Sequence, residues 1–165
     1  MTDDYLRRSG ITTLGTRIRR LFERLNGNVA DIYRNELGFE QRWFALAMLL
    51  DDHGPMQSGE AVNLLGQSHV AIVQVVRGME KAGLLERKAH PLDGRSKTLH
   101  LTDEGKRVIA RVRDISAIVD QAALALLKEA SPDFLNQLDA LDDALERVSF
   151  ADRIAESAKS KGVNI

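Results

Sequence analysis

The chain contains no cysteine, which excludes disulfide bonds, thiolate metal ligands and cysteine redox switches. It also has no apolar run close to the roughly 20 residues that a membrane-spanning helix requires, so we expect no membrane partner. The first five residues are acidic and lack the apolar run of a secretory signal. With 44% hydrophobic and 28% charged residues, the composition is that of a globular protein of one or two domains, for which we expect a cytoplasmic location.

Recognisable catalytic motifs are missing as well. The sequence has no glycine-rich phosphate loop, no His-Glu-x-x-His pair and no Gly-x-Ser-x-Gly turn. Asp51, Asp52 and His53 are conceivable metal ligands, but consecutive side chains at a helix end do not converge on one ion, and a solvated helix end explains them more simply. The other histidines are scattered along the chain: His69, His90 and His100. We therefore predict a protein that is not an enzyme and that holds neither a metal nor another cofactor.

Charge is nearly balanced over the whole chain but unevenly distributed along it. The net charge is −1, yet residues 66–113 contain ten Lys or Arg against five Asp or Glu, and residues 114–156 contain three against ten. A basic middle region indicates that one face of the molecule meets a polyanion. For the acidic C-terminal arm, simple solubility is the alternative explanation.

The spacing of the apolar residues predicts a mostly helical protein. Repeats of three and four residues indicate helices over residues 13–37, 40–52, 58–65, 68–82, 102–128 and 134–148. Residues 1–10 are polar and are predicted to be frayed. The helix over 40–52 is apolar around more than one face, so we expect it to be buried on several sides. Trp43, the single tryptophan, is predicted to lie in the core, with the lining of a ligand cavity as the alternative.

The third and fourth of these helices form a helix-turn-helix. They are joined by Gly66-Gln67-Ser68, in which Ser68 is the cap of the second helix. That second helix turns an apolar stripe inward at Ile72, Val76 and Met79. Its opposite side is the surface that would enter the major groove of DNA, and it carries His69, Val70, Ala71, Val73, Gln74 and Arg77.

A β-hairpin with a basic tip is predicted immediately after the helix-turn-helix. Residues 84–87 and 97–101 are rich in apolar or β-forming residues, and they flank the turn-forming run 90–96. Between residues 84 and 101 there are four Lys or Arg against two acidic residues. The hairpin is therefore locally cationic.

This region resembles the winged helix-turn-helix of the multiple antibiotic resistance regulator (MarR) family. The matching positions, in the family's order and spacing, are Gly83-Leu84, Arg87, Pro91, Asp93, Arg95, Leu99, Leu101-Thr102 and Gly105. The resemblance implies a mostly α fold with a small β-hairpin wing and with N- and C-terminal dimerisation helices. It divides the chain into an N-terminal helix over 1–37, a DNA-binding lobe over 38–105, and a long helix with a C-terminal helix over 106–165. Without cysteine, the thiol-oxidation mechanism of some members of the family is excluded.

Double-stranded DNA is the partner that the resemblance implies. Arg95 at the wing tip would enter the minor groove, with Asp93 holding the tip by pairing with Arg95 or Arg87. Lys88 and Lys97 would contact phosphates. On the helix, the amide of Gln74 suits adenine, and Ala71 or Val73 could touch a thymine methyl group, which favours an A·T-rich half-site. The predicted DNA-binding residues are Ser68, His69, Val70, Ala71, Gln74, Arg77, Lys88, Asp93, Arg95 and Lys97.

The resemblance also implies a homodimer and a small-molecule effector. Apolar stripes on the first and last helices form narrow seams of the kind that pack on a partner helix. The predicted dimerisation residues are Leu14, Ile18, Leu21, Leu126, Leu138, Leu141 and Leu145, with a monomeric three-helix cap as the alternative. Candidate lining for an effector pocket comes from Phe22, Trp43 and Arg111, although the pocket could instead be filled by the protein's own side chains.

Two functions from different classes fit these observations. The first is a homodimeric transcription regulator, in this family more often a repressor, that reads a pseudo-palindromic operator and is relieved by an effector. The alternative is a winged-helix interaction module that does not bind DNA sequence-specifically, and it is motivated by the apolar residues Val70, Ala71 and Val73. Salt-sensitive binding to duplex DNA separates the two.

Overall fold

The computed structural model describes residues 4–90 and 93–163, and the side chains of residues 90–95 lie outside the described part. Its helices are α1 (Tyr5–Arg8), α2 (Leu14–Leu37), α3 (Phe44–His53), α4 (Ser58–Leu65), α5 (His69–Lys81), α6 (Asp103–Ala130), α7 (Phe134–Arg147) and α8 (Phe150–Ser160). The strands are β1 (Met56–Gln57), β2 (Leu85–His90) and β3 (Asp93–Leu101), and short 3-10 turns over Gly10–Thr13 and Gln41–Trp43 precede α2 and α3. The contacts divide the chain into two units, Met1–Ala117 and Ile118–Ile165.

The predicted mostly helical winged fold is confirmed, with three elements that the sequence did not reveal. These are α1, α8 and the two-residue strand β1. The wing is consequently the larger part of a three-stranded antiparallel sheet in the order β1-β3-β2, in which Met56 pairs with Leu99 and Leu85 with Leu101. In the described part of the chain, no helix has both the length and the apolar character to span a bilayer.

The first unit holds the hydrophobic core. Each element from the end of α2 to the first third of α6 contributes apolar side chains to it, and the largest that are fully buried are Phe39, Leu46, Ile72, Val76, Met79, Leu99, Ile109 and Val112. Tyr33 of α2 joins the core through aromatic contacts, edge-on to Phe39 at 5.8 Å and stacked on Phe44 at 6.2 Å between ring centroids. Such aromatic contacts add to the burial of apolar area, so the end of α2 is fixed to the lobe.

The second unit, by contrast, contains no buried residue among residues 118–163. Helices α7 and α8 are amphipathic, yet their apolar stripes remain accessible to solvent, with Leu141 60% exposed and Phe150 65% exposed. The same is true of the stripe on the first half of α2, which includes Ile18 at 57%. These helices therefore leave apolar side chains at helical spacing in contact with solvent.

The junction between α5 and the sheet is a tight turn that requires glycine. Gly83 has φ +72°, in the left-handed region that residues with a Cβ rarely adopt. Its N–H donates to the carbonyl of Glu80 at 3.0 Å, and the N–H of Leu84 donates to the carbonyl of Met79 at 2.9 Å. These two bonds close the last turn of α5 and direct the chain into β2.

The start of α6 is fastened to the same junction. The N–H of Thr102 donates to the carbonyl of Leu84 at 3.1 Å, and its hydroxyl donates to the carbonyl of Gly83 at 2.7 Å. The same hydroxyl accepts the N–H of Gly105 at 2.9 Å and so caps α6. A Cβ on Gly105 would lie 2.1 Å from the carbonyl oxygen of Leu84, so only glycine permits this approach.

The helix α1 lies within the stretch predicted to be frayed, so that prediction is wrong for α1. Asp4 accepts the N–H of Leu6 at 3.0 Å as the cap of α1, and its two carboxylate oxygens accept from Arg20 of α2 at 2.8 and 3.2 Å. The hydroxyl of Thr13 donates to the carbonyl of Leu6 at 2.6 Å. Hydrogen bonding to Arg20 lowers the pKa of Asp4 below its usual value, so this contact persists into mildly acidic solution.

We predict that Gly105→Ala destabilises the protein by at least about 2 kcal/mol, because the new methyl group overlaps the backbone of Leu84 and neither backbone can withdraw without opening the junction. The matched control is Gly27→Ala, since nothing lies within 4 Å of a Cβ at that helical position. The control should stabilise α2 by up to about 1 kcal/mol. Urea unfolding at one protein concentration measures both, and equal effects of the two variants would contradict the prediction.

Candidate nucleic-acid interface

The helix-turn-helix presents one face of α5 to solvent and buries the other. Gly66 ends α4 with φ +60°, and the Ser68 side chain accepts the N–H of Ala71 at 3.2 Å as the cap of α5. The buried face of α5 consists of Ile72, Val75, Val76 and Met79. Because this face is fixed in the core, the opposite face is held in one orientation.

The exposed face of α5 carries most of the predicted helix residues. His69, Val70, Gln74 and Arg77 are exposed, as is their cap Ser68, whereas Ala71 and Val73 are half-buried. Val70, 66% exposed, offers more apolar surface here than Ala71 does, so it replaces Ala71 as the candidate for apolar contact. The face therefore combines an apolar contact, an amide and a cation within three turns of helix.

Behind this face, α5 rests on Trp43 at Gly78. Trp43 is 4% exposed, and a Cβ on Gly78 would lie 2.8 Å from its Nε1. The ring also meets Phe39 edge-on at 5.6 Å. The Nε1 atom of Trp43 is buried without a hydrogen-bond partner, which is the cost of placing a large flat ring directly against the helix.

The wing places its two described lysines on opposite faces. Lys88 pairs with Thr98 across the sheet, while Lys97 pairs with Ala89, and neighbouring residues of a strand point to opposite sides. Both lysines are exposed, and Lys88 forms an ion pair with Glu86 at 2.9 Å. The predicted contacts of Lys88 and Lys97 with phosphates thus belong to different sides of the hairpin.

Arg87 has a partner that the sequence did not indicate. Its Nε lies 3.1 Å from Oε1 of Glu80 in the last turn of α5. The predicted pairing of Asp93 with Arg95 or Arg87 falls on side chains outside the described part, so for Asp93 and Arg95 it stays a prediction. Glu80 and Arg87 carry opposite charges on either side of the Gly83 turn, and this feature of the sequence could have predicted the pair.

The sequence predicts a solvated helix end at Asp51 and Asp52, but both carboxylates form ion pairs. Arg113 of α6 donates its Nε to Asp51 at 2.7 Å and a terminal nitrogen to Asp52. The hydrogen bond to Asp51 has the largest effect on the pKa of Arg113 and that to Asp52 the next largest, and both raise it above its usual value. The two carboxylates therefore fasten the end of α3 to α6. Across residues 4–90 and 93–163, no three His, Cys, Asp or Glu side chains are grouped so that they could hold a metal ion.

The three residues predicted to line an effector pocket differ in environment. Trp43 lies in the core, whereas Phe22 on α2 is 62% exposed and Arg111 on α6 is exposed. A cavity of about 650 Å³ opens elsewhere, between the end of α3, the sheet and the start of α6, and none of the three lines it. Its lining combines the apolar side chains of Leu50, Pro55 and Leu101 with polar groups of mixed charge, including Asp51, Glu86, Lys88, His100, Asp103 and Lys106.

Comparison with known proteins agrees with this architecture. Residues 37–96 match the model of the MarR family. The chain is 32% identical over 103 residues to the uncharacterized HTH-type transcriptional regulator YkoM of Bacillus subtilis (strain 168), and the alignment covers 62% of this chain and 65% of YkoM, just under two thirds of its length.

Solved structures with the same fold include two regulators. The PcaV transcriptional regulator from Streptomyces coelicolor, in complex with its natural ligand, has a TM-score of 0.64 and 23% identity, covering 88% of this chain and 98% of that one. The transcriptional repressor CouR, bound to a 23-mer DNA duplex, has a TM-score of 0.62 and 23% identity, covering 81% of this chain and 92% of that one. At these identities the two structures establish the fold alone.

The exposed face of α5 is expected to contribute little to folding. We predict that Val70→Ala and Gln74→Ala each change the free energy of unfolding by less than about 0.5 kcal/mol, because neither side chain packs in the core. Ile72→Ala on the buried face is the control and should cost roughly 2–5 kcal/mol. Urea unfolding measures all three, and a loss for Val70→Ala comparable to that of Ile72→Ala would show that this face is structural.

Proposed function

We propose that the protein is a homodimeric transcription regulator of the MarR family that binds double-stranded DNA, and the match of residues 37–96 to the model of that family supports the proposal. The observation that carries the proposal is the exposed face of α5. It bears Val70, Gln74 and Arg77 on a helix whose opposite side is locked in the core. A helix of this kind fits the major groove, which is about 12 Å wide.

The contacts divide into those that read bases and those that position the protein. Gln74 can pair with adenine through its amide, and Val70 can contact a thymine methyl group, so an A·T-rich half-site is favoured. Arg77 and Lys97 are the cations for phosphates, with Ser68 and His69 at the start of α5 in supporting positions. Arg95 in the minor groove completes the proposal for the wing, with Asp93 as its support.

A second copy of the chain is proposed as the partner of the exposed apolar stripes. The seven predicted dimerisation residues are all 43–60% exposed in the protomer: Leu14, Ile18, Leu21, Leu126, Leu138, Leu141 and Leu145. Their burial across a two-fold axis would remove apolar surface from water, at roughly 25 cal/mol per Å². Charge favours the same arrangement, since Arg17 and Arg24 flank the stripe of α2 and Asp139 and Asp142 flank that of α7.

The sign of regulation and its control are part of the proposal. We infer repression relieved by a small molecule, supported by two proteins of the same fold: CouR is a repressor bound to DNA, and PcaV was solved with its natural ligand. An effector that favours the form unable to bind DNA by about 1–3 kcal/mol would weaken binding 5- to 150-fold. Phe22, Trp43 and Arg111 remain the proposed pocket residues.

A protein-interaction module is the second candidate function. It is favoured by the 66% exposure of Val70 on α5 and the 61% exposure of Leu64 on α4, which together give the helix-turn-helix more apolar surface than phosphate contact requires. In this case the lobe would bind a protein and not a duplex.

We predict salt-sensitive binding to the DNA upstream of the protein's own gene, with weaker binding to a scrambled duplex of equal length. A dimer with 6–10 phosphate contacts should lose about 10³- to 10⁵-fold in affinity between 50 and 200 mM salt. Gln74→Ala should reduce the preference for the upstream duplex over the scrambled one. The loss should be about 1–3 kcal/mol if the amide both donates a hydrogen bond to a base and accepts one from it. Lys97→Ala and Arg95→Ala should instead weaken binding to both duplexes and lower the salt slope by about 1. Fluorescence anisotropy provides each affinity.

Lys159→Ala is the control for loss of one positive charge, because Lys159 is exposed on α8 and outside the proposed interface. It should leave both affinities unchanged. The absence of any preference between the duplexes, together with indifference to Lys97→Ala, would favour the interaction module.

The dimer is tested by placing a charge in an apolar stripe. We predict that Leu141→Glu converts the dimer to a monomer in sedimentation equilibrium, because the buried carboxylate would have no partner across the axis. Ala140→Glu adds the same charge about 100° around α7 from Leu141, outside the leucine stripe, where it is exposed, and should leave the dimer intact. A monomeric unsubstituted protein, or dissociation by both variants, would contradict the proposed interface.

A further inference from the structure

One ion pair joins the recognition helix α5 to the wing at a point beyond their backbone junction. Glu80 lies in the last turn of α5, and Arg87 is the third residue of β2. Their side chains meet at 3.1 Å, and each is about one-third exposed, 32% for Glu80 and 33% for Arg87. The ion pair of Glu86 with Lys88, by contrast, connects two residues of β2.

The ion pair contacts the wing at a point away from the root of the hairpin. The backbone connects α5 to β2 only through residues 82–84, whose hydrogen bonds fix the root of the hairpin. Arg87 lies three residues further along the strand, about 10 Å from that root at 3.3 Å per residue. The base of the hairpin is already held by the pairing of β3 with β1 and by the buried side chains of Leu85 and Leu99. The ion pair adds a direct side-chain link between β2 and the last turn of α5.

Arg87 is also placed differently from Lys97, the wing lysine that is proposed to contact a phosphate. It pairs with Leu99 in the middle of the sheet, and Leu99 is fully buried. Its guanidinium is held by a carboxylate of α5, which offsets the charge it could offer to a phosphate. A carboxylate near a polyanion is otherwise unfavourable, so the presence of Glu80 on α5 is explained by its partner.

From this geometry we propose that Glu80 and Arg87 are positioning residues that fix the tilt of the wing against the recognition helix, so that both engage one duplex at the same time. The proposal rests on the proposed function, since it concerns how the lobe binds DNA. Neither residue needs to touch a base. Their contribution is to preserve the distance between the helix in the major groove and the wing tip.

The test compares Glu80→Gln, Arg87→Gln and the exchange variant Glu80→Arg/Arg87→Glu with the unsubstituted full chain. Affinities for the upstream and scrambled duplexes are measured by fluorescence anisotropy at several salt concentrations. Each single variant should lower the ratio of the two affinities by about fivefold, the effect expected for a partly exposed ion pair, with an unchanged salt slope. The exchange variant should recover most of the ratio, because it restores the pair with reversed polarity.

The matched control is Asp31→Asn, which removes the carboxylate of an ion pair of the same 3.1 Å length that lies within α2, with Arg34. It should leave the affinity ratio unchanged. Urea unfolding of every variant shows whether a lower affinity reflects loss of folded protein, and the exchange variant distinguishes a restored pair from a general loss of stability.

Three results would overturn the proposal, and they differ from one another. Tighter binding by Glu80→Gln with weaker binding and a lower salt slope for Arg87→Gln would make Arg87 a phosphate contact and Glu80 a passive acid. Unchanged affinity ratios in both single variants would remove the positioning role while the proposed function stands. An unsubstituted protein that does not distinguish the duplexes would end the proposed function and the positioning role together.

Discussion

The winged helix-turn-helix lobe depends on one backbone crossing, where Gly105 of α6 lies against the carbonyl of Leu84. Because no Cβ intervenes, Thr102 can bond to the backbone of Gly83 and Leu84 on one side and cap α6 on the other. The end of α5, the entry to β2 and the exit from β3 are thereby held within a few ångströms. The spacing of Gly83-Leu84 to Thr102 and Gly105 in the sequence reflects this crossing, since each of these four residues contributes a specific bond or a missing side chain to it.

From this crossing the recognition helix acquires a fixed orientation. One side of α5 is buried, and its Gly78 lies against the flat ring of Trp43, which in turn contacts Phe39. Phe39 meets Tyr33 of α2, so a continuous set of aromatic contacts leads from α2 to the back of the recognition helix. Close-packed contacts of this kind transmit displacement, because a void or an overlap costs free energy on either side. The end of α2 and the back of α5 therefore belong to one continuous core.

The two units of the chain differ in how many apolar side chains they bury. All of the residues in the core cluster fall between Tyr33 and Val112, where α3, α4, α5 and the sheet surround them. Residues 118–163 include a leucine stripe but not one buried side chain. A pair of helices cannot enclose its own apolar stripe, since each helix needs neighbours on more than one side. The exposed stripes of α2, α7 and α8 thus explain why a second copy is the natural partner in the proposed function.

The sequence by itself determined the helices from α2 to α7, the helix-turn-helix and the hairpin, because periodicity, caps and glycine turns act between residues close along the chain. It also placed Gln74 and Arg77 on the exposed face of α5, which follows from a fixed 100° per residue once the buried face is known. Only the tertiary structure decided which charges meet. The pairs of Glu80 with Arg87 and of Arg113 with Asp51 and Asp52, like the pairing of β1 with β3, join elements whose approach is set by the packing of the core. The pair of Arg20 with Asp4 joins α1 to the first half of α2, outside that core. The sequence contains many oppositely charged residues that could pair, and the tertiary structure determines which of them lie close enough to do so.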